Sequence, residues 1–103
     1  MDPVLVYITT KDKTEAKAIG RTLIVERLAA CANVIDVMES IYWWEGKICE
    51  DNESVLIVKT KESLLDKLTA KVKSIHSYEC PCVVALRIAG GNEDYLRWIE
   101  ESV

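Results

Sequence analysis

Val4-Leu5-Val6-Tyr7-Ile8 is an unbroken run of β-favouring apolar residues without helical spacing, and it predicts a first strand. Asp12 and Glu15 then form a D-x-x-E capping pattern, and Ala16, Ile19, Leu23 and Ala30 recur at helical steps, predicting a helix from Lys13 to about Ala30. Two extended stretches rich in Val, Ile, Tyr and Trp follow, Asn33 to Trp44 and Lys47 to Thr60, with Glu45-Gly46 as the reversal and Gly46 free to take positive φ. Leu65, Leu68, Val72 and Ile75 fall on one helical stripe with Lys67, Lys71 and Lys73 outside it, so a second helix should close near His76. Cys82 to Ile88 reads as the fourth strand. After Gly90-Gly91, Asn92 caps a short last helix that carries Glu93 and Asp94 in its first turn and Tyr95, Leu96 and Ile99 behind them.

The resulting order, β-α-β-β-α-β plus a terminal helix, is the split βαβ arrangement of ferredoxin-like α+β folds: a four-stranded antiparallel sheet with both main helices on one face. The other face needs a cover, because strands one and four are apolar at successive positions, whereas a solvated face would show a polar residue at every second one. The hairpin poses the same problem. A strand of its length runs roughly 40 to 46 Å at about 3.3 Å per residue, longer than the roughly 34 Å diameter of a compact domain of this size. It should overrun its own domain or be broken by a bulge near Glu50-Asp51-Asn52-Glu53. Its tip carries Tyr42, Trp43 and Trp44, an association hazard if left in water. Both features predict a tight homo-oligomer in which Tyr42, Trp43 and Trp44 build the assembly.

A chain of 103 residues, half apolar and 29% charged, supports one folded domain, residues 1–103. The net charge of −4 and the scattered Lys and Arg argue against nucleic acid as a partner. No apolar run approaches a membrane span, the start Met1-Asp2-Pro3 lacks the basic residues of a signal peptide, and the expected compartment is the cytoplasm. There Cys31, Cys49, Cys80 and Cys82 are expected as thiols rather than as a disulfide framework.

His76, the only histidine, is followed by Cys80-Pro81-Cys82. An imidazole and two thiolates suit Zn(II) or Cu(I), and alternation places both sulfurs on one side of an extended chain. The spacing supplies no fourth ligand, so a subunit interface or water would complete such a site. The competing reading makes His76 a cap of the second helix and the cysteines packing residues. Cys31 reads as a small core residue and Cys49 has no partner. A Cys-His pair could also serve a nucleophilic enzyme, but no orienting group or oxyanion donor can be placed beside it.

Four patches together resemble the CutA family of divalent-cation-tolerance proteins over essentially the full length: Glu26-Arg27-Leu28-Ala29-Ala30-Cys31-Ala32-Asn33, Tyr42-Trp43-Trp44-Glu45-Gly46-Lys47, His76-Ser77-Tyr78-Glu79-Cys80-Pro81, and Gly91-Asn92-Glu93-Asp94-Tyr95-Leu96-Arg97-Trp98. The resemblance implies a ferredoxin-like homotrimer that binds copper or related divalent ions, with no established catalysis and no tightly bound cofactor. Where family copper binding is attributed to a cysteine ending the first strand, this chain has Thr9 or Thr10. The resemblance also implies kinship of architecture with nitrogen-regulatory PII-type trimers, whose ligand clefts lie between subunits. On that basis Trp44, Glu45, Lys59 and Tyr78 are the residues expected to line an inter-subunit cleft in the alternative reading, a small-molecule sensing trimer. A third reading is a structural trimer that scaffolds another protein chain.

Overall fold

The computed structural model describes residues 2–103. Its elements are β1 (Pro3–Thr10), α1 (Lys13–Val25), β2 (Cys31–Trp44), β3 (Lys47–Lys61), α2 (Leu65–Ile75, entered through one 3-10 turn at Glu62–Leu64), β4 (Val83–Arg87) and α3 (Glu93–Ser102). The sheet order is β2-β3-β1-β4 with every neighbouring pair antiparallel, the ferredoxin-like arrangement expected from the element order. Val4, Val6, Ile8, Leu56 and Val58 point from one face of the sheet into a core closed by Ala16, Ile19 and Leu23 of α1 and Leu68 and Val72 of α2.

The opposite face is the unfinished one. Cross-strand register aligns Leu5 with Lys59 and Leu86, and Tyr7 with Ile57 and Val84, on that side. There Val84 is 53% exposed and Leu86 60%. The β2–β3 hairpin stretches the molecule to 44 Å along its long axis against 25 and 23 Å across. Its strands run 14 and 15 residues. The expected break is present, but it lies on β2. Register slips by one residue between the pairs Ile35–Val55 and Met38–Glu53, and Ser54 fills the gap by donating its hydroxyl to the Asp36 carbonyl. At the tip Glu45 (φ 49) and Gly46 (φ 77) both take left-handed backbone, the I′ geometry that matches the twist of a two-residue hairpin.

Helix α1 stops at Val25, five residues short of Ala30, and this corrects the sequence reading. Arg27 adopts φ 59, its N–H bonds the Ile24 carbonyl and the Leu28 N–H bonds the Leu23 carbonyl, closing the helix in a Schellman turn. Leu28 and Ala29 then drop into the core, and the Ala30 N–H joins the sheet at the Lys59 carbonyl. The apolar spacing that extended the predicted helix belongs to this turn. The first-turn caps form as expected: Asp12 accepts from the Glu15 N–H at 2.8 Å, and Asn92 from the Asp94 N–H at 2.9 Å. Among the described residues no helix is long and apolar enough to cross a membrane.

Candidate functional site

A cavity of about 800 Å³ opens on the unfinished face, between the root of the hairpin arm and the segment Ser77–Cys82 that links α2 to β4. Tyr7 and Thr9 of β1 form its floor. Met38, Tyr42 and Trp44 come from β2, Glu53 from β3, and Tyr78, Glu79, Cys80 and Cys82 from the linking segment. The slip in β2 is what brings these side chains to one side. Beyond it Met38, Tyr42 and Trp44 share a face with Glu53, whose backbone partner is Met38.

The linking segment is held by directed bonds. His76 places Nε2 at 2.8 Å from the Thr9 carbonyl, and Nδ1 accepts the Tyr78 N–H at 3.0 Å. A carbonyl can only accept and an N–H can only donate, so the imidazole is the neutral tautomer with its proton on Nε2. Glu15, besides capping α1 through the Lys11 N–H, accepts the Ser77 N–H at 2.8 Å. Burial tends to raise the Glu15 pKa, but the hydrogen bonds from Ser77 and Lys11 outweigh it and leave the carboxyl below its ordinary value. The Tyr78 hydroxyl donates to Glu53 Oε2 at 2.8 Å. Burial, together with that hydrogen bond and the carboxylate charge, pushes the Tyr78 phenol well above the ordinary tyrosine value. Across the cleft Tyr42 donates to Asp51, which lifts the Tyr42 phenol to about 12.

Two of the three candidate metal donors, Cys80 and Cys82, line this cavity; Cys80 is exposed and Cys82 half-buried. His76 stands behind it with both ring nitrogens engaged. No group of three or more His, Cys, Asp or Glu side chains is placed to hold a metal ion among the described residues. A closed metal site is therefore not built within one chain, and the donors present amount to a pair of thiols. Burial pushes the Cys82 thiol up, and the nearby Glu53 charge adds to this against the bonds to Thr9, so an ion must displace a proton to reach that sulfur.

Of the four residues expected at an inter-subunit cleft, Trp44 and Tyr78 line the cavity and Glu45 and Lys59 do not. Glu45 is exposed at the hairpin tip. Lys59 shares a face with Glu53, the β3 residue of the cavity, but lies six residues along the strand, about 20 Å at strand rise. There its ammonium donates to Asn33 Oδ1 at 3.1 Å, lies 3.7 Å from Cys31 Sγ and sits 5.7 Å from the Tyr95 ring centre. Cys31 is half-buried against this cluster rather than in the core. Trp43, also expected in the assembly, is 72% exposed on the other side of the arm from Trp44. Glu53, Met38 and Tyr7 were not singled out by sequence reasoning. Glu53 closes the polar run Glu50-Asp51-Asn52-Glu53, which gives no local sign that this carboxylate alone is buried, at 9% exposure.

The family model described as CutA1 divalent ion tolerance protein matches residues 4–102. The protein named CutA 1, chloroplastic, from Oryza sativa is 50% identical over 96% of this chain and 56% of its own length. The divalent-cation tolerance protein CutA of Thermus thermophilus is 44% identical over 95% of both chains. This chain thus spans about half the length of the plant relatives it matches and nearly all of the bacterial one. Among solved structures, the crystal structure of CutA1 from Oryza sativa superposes with a TM-score of 0.95 at 48% identity, covering 99% of this chain and 94% of that one. The divalent cation tolerance protein of Thermus thermophilus superposes with a TM-score of 0.94 at 43% identity, covering 97% of each chain.

Proposed function

The chain belongs to the CutA1 divalent ion tolerance family, and from that membership we propose that it acts as a homotrimeric, non-enzymatic protein of the cytoplasm that binds divalent or soft metal ions and contributes to metal tolerance. The observation that carries this reading is the match across residues 4–102 to a family whose bacterial and archaeal members are named for divalent-cation tolerance.

Self-association is supported by apolar surface that one chain leaves uncovered. Trp43 is 72% exposed, Ile41 70% and Ile48 64% on the arm, with Leu86 at 60% on the unfinished sheet face. Covering such surface is worth about 25 cal/mol per Å², and monomers rarely leave contiguous patches of this kind wet.

For the ion, the donors this chain offers are the thiols of Cys80 and Cys82. His76 joins them by giving up the Tyr78 N–H, which exposes the Nδ1 lone pair. Soft sulfur donors select Cu(I) or Zn(II) over hard ions, and a neighbouring subunit or water supplies the remaining ligands.

Native mass spectrometry with metal detection tests both halves. The expected species has three times the chain mass of 11.6 kDa and carries metal that is lost in the Cys80→Ser/Cys82→Ser double variant and reduced in His76→Ala. A monomeric species removes the assembly, and metal unaffected by all three substitutions removes the site.

A further inference from the structure

We infer that Cys31 is a modification site, a thiol that hydrogen peroxide oxidises to a sulfenic acid, with Lys59 and Tyr95 as the groups that activate the sulfur and hold the product. This goes beyond metal binding and uses none of the proposed metal donors.

The first observation is the surroundings of the sulfur. Cys31 opens β2 and pairs directly with Lys59 of β3, on the sheet face opposite the core, where it is half-buried. Its Sγ has two polar neighbours: the Lys59 ammonium donates to it at 3.7 Å, and the Tyr95 hydroxyl stands 3.6 Å away. The start of β2, the end of β3 and the first turn of α3 thus bring a thiol, an ammonium and a phenol to one point.

The second observation is charge. Among the described residues no Asp or Glu forms an ion pair with Lys59. Its other partners are the neutral Asn33 Oδ1 at 3.1 Å and the Tyr95 ring, 5.7 Å from its ammonium. An ammonium beside a thiol favours the thiolate, the form that attacks peroxides. Burial tends to lower the Lys59 pKa, but the Cys31 charge and the Tyr95 hydroxyl outweigh it and raise it, so the ammonium persists through neutral pH. The hydrogen bond with Cys31, with burial adding to it, raises the Tyr95 phenol and keeps its proton available to the sulfur.

In the oxidation, the sulfur gives an electron pair to one peroxide oxygen, and the S–O bond forms as the O–O bond breaks. The departing hydroxide takes a proton from the Lys59 ammonium, which regains from solvent the one that left the thiol. The net change converts thiol and peroxide to sulfenic acid and water, with the sulfur oxidised by two electrons. No second thiol stands near enough to condense with the product. Cys49 lies ten residues along β3 from Lys59, about 33 Å at strand rise, and Cys80 and Cys82 line the cavity around Glu53. The product is therefore a sulfenic acid that added thiol reverses.

All these groups belong to one chain, at the end of the sheet face that α3 already covers. Cys31 lies twelve residues along β2 from Trp43, about 40 Å at strand rise. Association through the arm leaves their contacts as they are, and the oxidant is little larger than water.

The test exposes the assembled protein, freed of metal by dialysis against chelator, to hydrogen peroxide in the presence of dimedone, which traps sulfenic acids, and follows each cysteine by peptide mass mapping. Cys31 should be labelled at least about tenfold faster than the more exposed Cys80, and dithiothreitol added before the trap should abolish the label. Lys59→Met should slow labelling of Cys31 by about tenfold, and Lys59→Arg, which keeps the charge, should restore most of it. Tyr95→Phe, which keeps the ring and loses the hydroxyl, should slow labelling severalfold and carries the comparison if Lys59→Met fails to keep its native mass and circular dichroism. Labelling of Cys31 no faster than of Cys80, labelling only after dissociation in urea, or native rates in Lys59→Met or in Tyr95→Phe would each overturn the assignment. Because metal is removed beforehand, failure here leaves the metal reading intact, and metal loss in the Cys80 and Cys82 variants leaves this one intact.

Discussion

The Tyr78 N–H is bonded to Nδ1 of His76 at 3.0 Å, and the same imidazole reaches back to the Thr9 carbonyl at 2.8 Å. One side chain therefore ties the end of α2 to both the end of β1 and the segment that walls the cavity. His76→Ala removes both bonds and leaves two backbone groups to find new partners. Stability should fall by about 1–3 kcal/mol, read by chemical denaturation, with faster amide exchange confined to residues 77–82.

Tyr78 gives the alkaline side of the stability profile its sign. Its phenol is raised in the folded state by burial and by Glu53, so the contribution is complete below the unfolded tyrosine value of about 10 and is lost as pH rises through the higher folded value. Tyr78→Phe should flatten the decline in unfolding free energy above about pH 10. In an ultraviolet titration of the native protein, followed at the phenolate band, Tyr42 should ionise near about 12, with Tyr78 later.

Glu15 sets the opposite limb. Its pKa is lowered on folding, so its contribution is present above the ordinary carboxylate value and disappears as pH falls through the folded one. Glu15→Gln should lower the melting temperature at neutral pH by a few degrees, about 2–4 °C for a partly solvated contact, with the gap closing toward about pH 3. A gap that persists in acid would point to lost capping geometry rather than lost charge.

Arg27 occupies left-handed backbone at φ 59 while its guanidinium donates to the Ser102 carbonyl at 2.9 Å. Two substitutions separate these roles. Arg27→Ala loses the bond and keeps the backbone cost, whereas Arg27→Gly loses the bond and relieves the cost. The glycine variant should be more stable than the alanine variant by about 1 kcal/mol in denaturant melts.

Trp43 and Ile48 face each other across the arm, both largely exposed. Placing charge there should act on assembly and spare the fold of each chain. Trp43→Glu/Ile48→Glu is expected to shift native mass from the oligomer to single chains without loss of strand signal in circular dichroism.

The architecture was legible because apolar periodicity and turn chemistry agree at nearly every element: the hairpin reversal at Glu45-Gly46, the caps at Asp12 and Asn92, and the stripe ending at Ile75 all stand where residue type places them. The end of α1 was not legible, because the left-handed position that usually advertises itself with glycine is held here by Arg27. The cavity was legible only in part. Trp44 and Tyr78 were named from their segments, but Lys59 and Glu53 exchange roles once strand register is known. Lys59 sits under α3 and Glu53 sits in the cavity, and no local pattern distinguishes the two. The engagement of His76 depends on Thr9, 67 residues away, and no local motif reports a bond of that span.

One extra residue between Ile35 and Met38 decides which half of the arm's side chains looks into the cavity. Without it, Val37 would stand opposite Glu53 and the strand's parity would invert to the tip, turning Tyr42 and Trp44 outward and Trp43 inward. A single-residue deletion at Val37, by contrast, would remove the slip while keeping Met38 opposite Glu53 and Trp44 opposite Lys47, so the arm's two faces would be preserved. A local slip in strand phase, rather than a change of residue type, thus decides that Tyr42 and Trp44 stand on the side of Glu53 while Ile41 and Trp43 turn to the other side of the arm.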